Sequence, residues 1–190
     1  MLKSCLKILK SISLVLFLSF LFLAGVQNTL AQTWTGDVSN SWHDAGNWDS
    51  GTIPDANSSV TIGSVSPNPY PVITQDVTVK KVTLSDWNNG ELTITGNATL
   101  TVAETFEMNN NSRLVLDGGT LQFDGNGNGS RKINMAYTNV LIEIKNNGSL
   151  NSPNAHLQVN GTILVNNGTL NPGSGFELST DKLLQVTDGD

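Results

Sequence analysis

Cysteine is almost absent from this chain: the single one, Cys5, lies near the N-terminus, so no disulfide can staple the rest. A domain without cross-links must be held by its buried core and its backbone hydrogen bonds. Positive charge is scarce too, with ten Lys and Arg against sixteen Asp and Glu and a formal net charge of −6. Three of those cations, Lys3, Lys7 and Lys10, precede an apolar run; without them seven cations face sixteen acids, a net charge of −9. Arg113, Arg131 and five lysines cannot neutralise a phosphate backbone, which argues against nucleic acid and anionic lipid as partners. Helical periodicity is missing beyond that run, and so are a nucleophile elbow, a P-loop, a dinucleotide fingerprint and zinc-ligand spacing.

What is present begins with a leader. The three lysines are followed by an apolar stretch from Ile12 to Val26, broken only by Ser13, Ser19 and Gly25. That is the layout of a secretory signal peptide, read as residues 1–31 with cleavage after the small Ala31 and Gln32 as the first mature residue. Cys5 precedes the apolar run, so a lipoprotein cleavage site is not supported. The remaining residues, 32–190, suffice for one domain with one continuous core, and no linker divides them.

Within that domain one phrase is written three times: Asn147-Gly148-Ser149-Leu150, Asn160-Gly161-Thr162-Ile163 and Asn167-Gly168-Thr169-Leu170. Asn-Gly suits a tight corner and the residues after it start a strand, so Gly161 and Gly168 are expected at positive φ. Apolar pairs at i and i+2 extend the pattern. They run from Leu92/Ile94 through Leu100/Val102, Leu114/Leu116, Ile142/Ile144 and Ile163/Val165 to Leu184/Val186. Leu92 to Leu114, Leu100 to Leu121 and Ile163 to Leu184 fit a period of about 21 residues, which means a solenoid or array. Three strands per coil then give an all-β, right-handed parallel β-helix. A β-sandwich of hairpins competes, since Asn-Gly is also a hairpin signal, but hairpin sandwiches rarely keep so regular a period.

Residues 32–62 differ in kind. Trp34, Trp42 and Trp48 stand among Gly, Asn, Asp and Ser with no helix period. A solenoid needs its first coil covered, so this segment reads as a tryptophan-rich cap, with the coils in 63–190. The competing reading is a saccharide-stacking platform on Trp42, Trp48 and the corner residue Trp87.

Trp34-Thr35-Gly36, Trp42, Gly46-Asn47-Trp48, Pro54, Val60-Thr61-Ile62 and Pro71-Val72-Ile73 together resemble the N-terminal module of secreted or surface parallel β-helix proteins of Gram-negative bacteria. Many of these are exported by the type IX system. The resemblance covers Thr33 to about Val102 by motif. It implies a pectin lyase-like fold, an extracellular or outer-surface location, and an adhesin-like or polysaccharide-active role. It also implies continuation into further coils and a sorting domain.

Clusters that carry chemistry are weak. Asp124, Asn126 and Asn128 open like a calcium loop, yet Met135 stands where the bidentate Glu is required, so a turn is the simpler reading and no metal or cofactor is expected. Thr93-Ile94-Thr95 and Thr99-Leu100-Thr101 resemble ice-binding threonine ladders, but they lie only six residues apart and Thr93 projects onto Leu114. Asp86 and Glu107 are expected to stack one coil apart, with no Arg or Lys assignable to their face. His43 and His156 have no visible partner and are expected in solvent.

The expectation is therefore a non-catalytic extracellular structural or adhesive module. The alternative is a carbohydrate-binding or polysaccharide-degrading (lyase or hydrolase) β-helix, its partner an extracellular polysaccharide or a cell-surface component. After Leu184/Val186 few residues remain to cover a coil, so the chain is expected either to continue as a longer solenoid or to associate end to end.

Overall fold

The computed structural model describes residues 31–63, 68–85, 89–123, 132–153, 156–173, 175–179 and 183–187. In chain order the strands are β1 (Ala31–Thr33), β2 (Ser59–Ile62), β3 (Val72–Ile73), β4 (Val77–Leu84), β5 (Glu91–Thr95) and β6 (Thr99–Met108). Next come β7 (Arg113–Asp117), β8 (Thr120–Phe123), β9 (Lys132–Met135), β10 (Leu141–Lys145), β11 (Ser149–Asn151) and β12 (His156–Val159). The last are β13 (Thr162–Asn166), β14 (Thr169–Asn171), β15 (Gly175–Leu178) and β16 (Leu183–Thr187). A single 3-10 turn at Ala45–Asn47 is the only helical element among the described residues.

Every strand pairs in parallel with the strand one coil away, as a solenoid of about five turns requires and a hairpin sandwich forbids. Three faces result. The first stacks the N-terminal half of β4 and of β6 with β8, β11 and β14. The second stacks β1, β2, the C-terminal halves of β4 and β6, β9, β12 and β15. The third stacks β3, β5, β7, β10, β13 and β16. In β4 and β6 a continuous strand turns the corner between the first two faces, with a register shift at Val79/Lys81. In later coils separate strands replace it.

The register bears out the period. Leu92 pairs with Leu114, Leu100 with Leu121, and Ile163 with Leu184. The step from Leu114 to Ile142 is longer because residues 124–131 fall within that coil. Alternation fills the interior: Leu92, Ile94, Leu114, Leu116, Ile142, Ile144 and Ile163 are fully buried, while Thr93 and Glu143 between them are partly exposed and Val115 is buried at 4 % exposure outside the core cluster. Each inward side chain rests on its equivalents in adjacent coils, so the core is one continuous column rather than a series of small ones. At the last described coil burial falls off, leaving Leu178 41 % and Val186 63 % exposed although their register partners Val159 and Val165 are buried.

Corners are built differently from the expectation. Among non-glycine residues positive φ falls on asparagine alone, at Asn89, Asn111, Asn146, Asn147 and Asn167, with φ of 54° at Asn167, and Gly96, Gly118 and Gly173 take it between other strands. Gly161 and Gly168 are not in that region. They are glycine because the neighbouring coil leaves no room. A Cβ on Gly161 would lie 2.4 Å from the Val140 carbonyl oxygen, and one on Gly168 2.6 Å from Ile144 Cγ2. At Asn147 and Asn167 the asparagine makes the turn, at Gly96, Gly118 and Gly173 a glycine does, and Gly161 and Gly168 let two coils touch.

Candidate functional site

The segment between β1 and β2 forms the cap, and asparagine holds it. Asn47 is fully buried at the end of the 3-10 turn. Its Oδ1 accepts from the amides of Val38 (2.8 Å) and Ser39 (2.9 Å), while Nδ2 donates to Ser39 Oγ (3.0 Å) and the Ser41 carbonyl (2.9 Å). That uses both donors and both acceptor directions of the amide, so a polar side chain is buried at little cost. Sequence reading missed this residue; Gly46-Asn47-Trp48 was visible only as part of a motif.

Around Asn47 the three tryptophans pack edge to face. Trp34 and Trp48 have ring centroids 5.1 Å apart at 80°, and Trp42 and Trp48 4.7 Å apart at 73°. Trp34 Nε1 donates to the Pro69 carbonyl and Trp48 Nε1 to the Trp42 carbonyl, both at 2.9 Å. All three rings belong to the core cluster. The cap also closes two strand edges: β1 pairs with β2, and the backbone of residues 40–42 bonds to Val72 on β3.

A saccharide-stacking role for Trp42 and Trp48 does not fit this packing. Trp42 is 0 % and Trp48 3 % exposed, so neither offers a ring face to a sugar. Trp87 and Asp86 lie outside the described residues, as do residues 1–30 of the expected 1–31 leader and the run from Asp124 to Ser130 expected to form a turn. Glu107 is not without a cation on its face, since Lys81 lies 3.0 Å away. His156 has a partner in Glu177 at 3.1 Å, and His43 is half-buried with its Nε2 enclosed.

The outward residues form columns in register, and charge is sorted among them. On the third face Arg113 reaches Glu143 at 2.6 Å and Glu91 at 3.3 Å, and Lys145 reaches Asp117 at 3.7 Å. Burial opposes the charge on Arg113, but hydrogen bonds and attraction from Glu143 and Glu91 outweigh it and hold the guanidinium above its ordinary pKa. The second face carries Lys81–Glu107 and His156–Glu177. Such exposed pairs contribute at most about 1 kcal/mol each, and their main effect is to leave few free charges on these two faces.

The first face has a different character. Thr99 stacks on Thr120, and Thr120 on Ser149, which in turn stacks on Thr169. Beside that column Thr78 meets Thr101, Thr101 meets Gln122, Gln122 meets Asn151 and Asn151 meets Asn171. Hydroxyls therefore do recur at the coil interval, on a different face from Thr93, whose partner is Val115 rather than Leu114. Two parallel columns of hydroxyl and amide groups run across these coils with no charged side chain among them.

Residues 33–162 match the model of a family described as a domain of unknown function (DUF8693). No curated protein and no solved structure matches the chain. With more than half of its length matched, the chain belongs to the DUF8693 family.

Proposed function

We propose that this chain is a non-catalytic extracellular β-solenoid module, with a structural or adhesive role at the cell surface or in the secreted matrix. The observation that supports it is the column order of the outward residues, which makes each face a repeating contact surface on a rigid core. Export is supported by the lysine-flanked apolar run. A non-catalytic reading is supported by the pairing of Glu91, Glu107, Asp117 and Glu143, each of which lies within 4.0 Å of a Lys or Arg. Paired carboxylates of this kind make a solvated, salt-laced surface rather than an acid–base couple.

Two measurements test this reading. Beads carrying the chain should be retained on cell-envelope fractions or extracellular matrix well above beads carrying an unrelated acidic protein. Incubation with neutral and acidic polysaccharides should release neither new reducing ends nor unsaturated uronate. Failure of retention would defeat the adhesive role, and product release that scales with protein concentration would make the chain an enzyme.

A further inference from the structure

We infer that the uncharged part of the first face, from the N-terminal half of β6 through β8 and β11 to β14, is a binding surface for an extended neutral polysaccharide lying across the coils; this deepens the adhesive reading and rests on it. In a chain with sixteen acids, the outward positions of β8, β11 and β14 and of the N-terminal half of β6 carry none; charge borders them at the first coil, in Asp76 and Lys80, while the other two faces carry ion pairs such as Lys81–Glu107 and Arg113–Glu143. A neutral ligand covers such a face without desolvating a charge, which would otherwise cost several kcal/mol per ion.

Columns two residues apart on a strand lie about 6.6 Å from each other, and successive coils lie about 4.8 Å apart. A polymer whose hydroxyls recur can repeat the same hydrogen bonds coil after coil, so many weak contacts add by linkage. The hydroxyl and amide chains have the complementary groups, each both donor and acceptor. They are short, so little rotamer entropy is lost on binding. Beneath them Leu100, Leu121 and Leu150 are fully buried and hold the strands flat against the core. No aromatic side chain stands among the two columns, so stacking adds nothing there and a single sugar binds weakly. Affinity must come from chain length.

Affinity electrophoresis of the full chain through gels containing hydroxyethylcellulose, mixed-linkage β-glucan, mannan or polygalacturonate tests this. At least one neutral polymer should retard the protein, polygalacturonate should not, and oligosaccharides of increasing length should compete with rising potency. The paired substitution Thr120→Glu with Ser149→Glu should weaken retardation at least tenfold, and Thr105→Glu on the second face should leave it unchanged. Circular dichroism checks that the variants fold, and Thr120→Ala with Ser149→Ala, which adds no charge, should weaken binding about threefold if the glutamates disturb the strand. Retardation by none of the neutral polymers, retardation indifferent to both face variants, or preference for polygalacturonate would overturn the inference. So would depression of ice growth without polymer binding, which would assign the face to ice. Beads that still adhere to matrix while the face variants change nothing would sink this inference and leave the adhesive reading standing.

Discussion

At the scale of single residues, two side chains in one corner phrase do different work. Asn147 and Asn167 turn the chain at positive φ, where the asparagine amide tolerates the left-handed region that most residues avoid. Gly161 and Gly168 instead sit against the next coil. Gly161→Ala and Gly168→Ala should therefore each destabilise by about 1 to 3 kcal/mol through overpacking, although alanine is the mildest replacement available. Asn147→Gly should cost under about 1 kcal/mol, because glycine accepts the same φ at only an entropic penalty. Urea titrations of the three variants distinguish the causes: a tolerated alanine at Gly161 would mean that the coils are not in contact there. Asn47 is the residue on which the cap depends most. Asn47→Leu removes four hydrogen bonds and strands the amides of Val38 and Ser39, so about 2 to 4 kcal/mol should be lost. Asn47→Asp should also destabilise, since a carboxylate cannot donate to the Ser41 carbonyl, and thermal melts followed by tryptophan fluorescence read both.

Elements form here because alternation and period agree. The apolar pairs Leu92/Ile94, Leu114/Leu116 and Ile142/Ile144 were legible because a strand side chain at i and i+2 can face only one side, and the core lies on that side. Leu121→Ala should cost about 2 to 5 kcal/mol, whereas outward Thr120→Ala should stay within about 0.5 kcal/mol, and equal effects in urea would mean that the register is shifted by one residue. Other features were illegible for a stated reason. Which corner residue takes positive φ depends on the coil above and below, a contact that no local phrase encodes. The hydroxyl columns were missed because Thr120 and Ser149 come together only across a longer coil, where residues 124–131 break the regular step that joins Thr99 to Thr120. The cap was legible from its tryptophans, but Asn47, their organiser, gave no periodic signal. Trp48→Ala should cost about 3 to 5 kcal/mol, and this loss belongs to the core rather than to any ligand.

For the whole molecule, the ladder decides everything else: the sorted charges, the neutral face and the edge-closing cap all depend on parallel strands rising one coil at a time. Residues 32–190 contain no native cysteine, so paired nitroxide labels can be placed by single substitutions to cysteine. Labels at Thr78 and, in turn, Thr101, Gln122, Asn151 and Asn171 report on one column, in which each partner lies one strand further away. Electron paramagnetic resonance should show strong dipolar broadening for the first pair and distances that grow in near-equal steps to about 19 Å between backbones for the last. A Thr78 label nearer to Asn151 than to Gln122, or distances that rise and fall along the series as antiparallel hairpins would make them, would contradict the solenoid and every functional statement built on it.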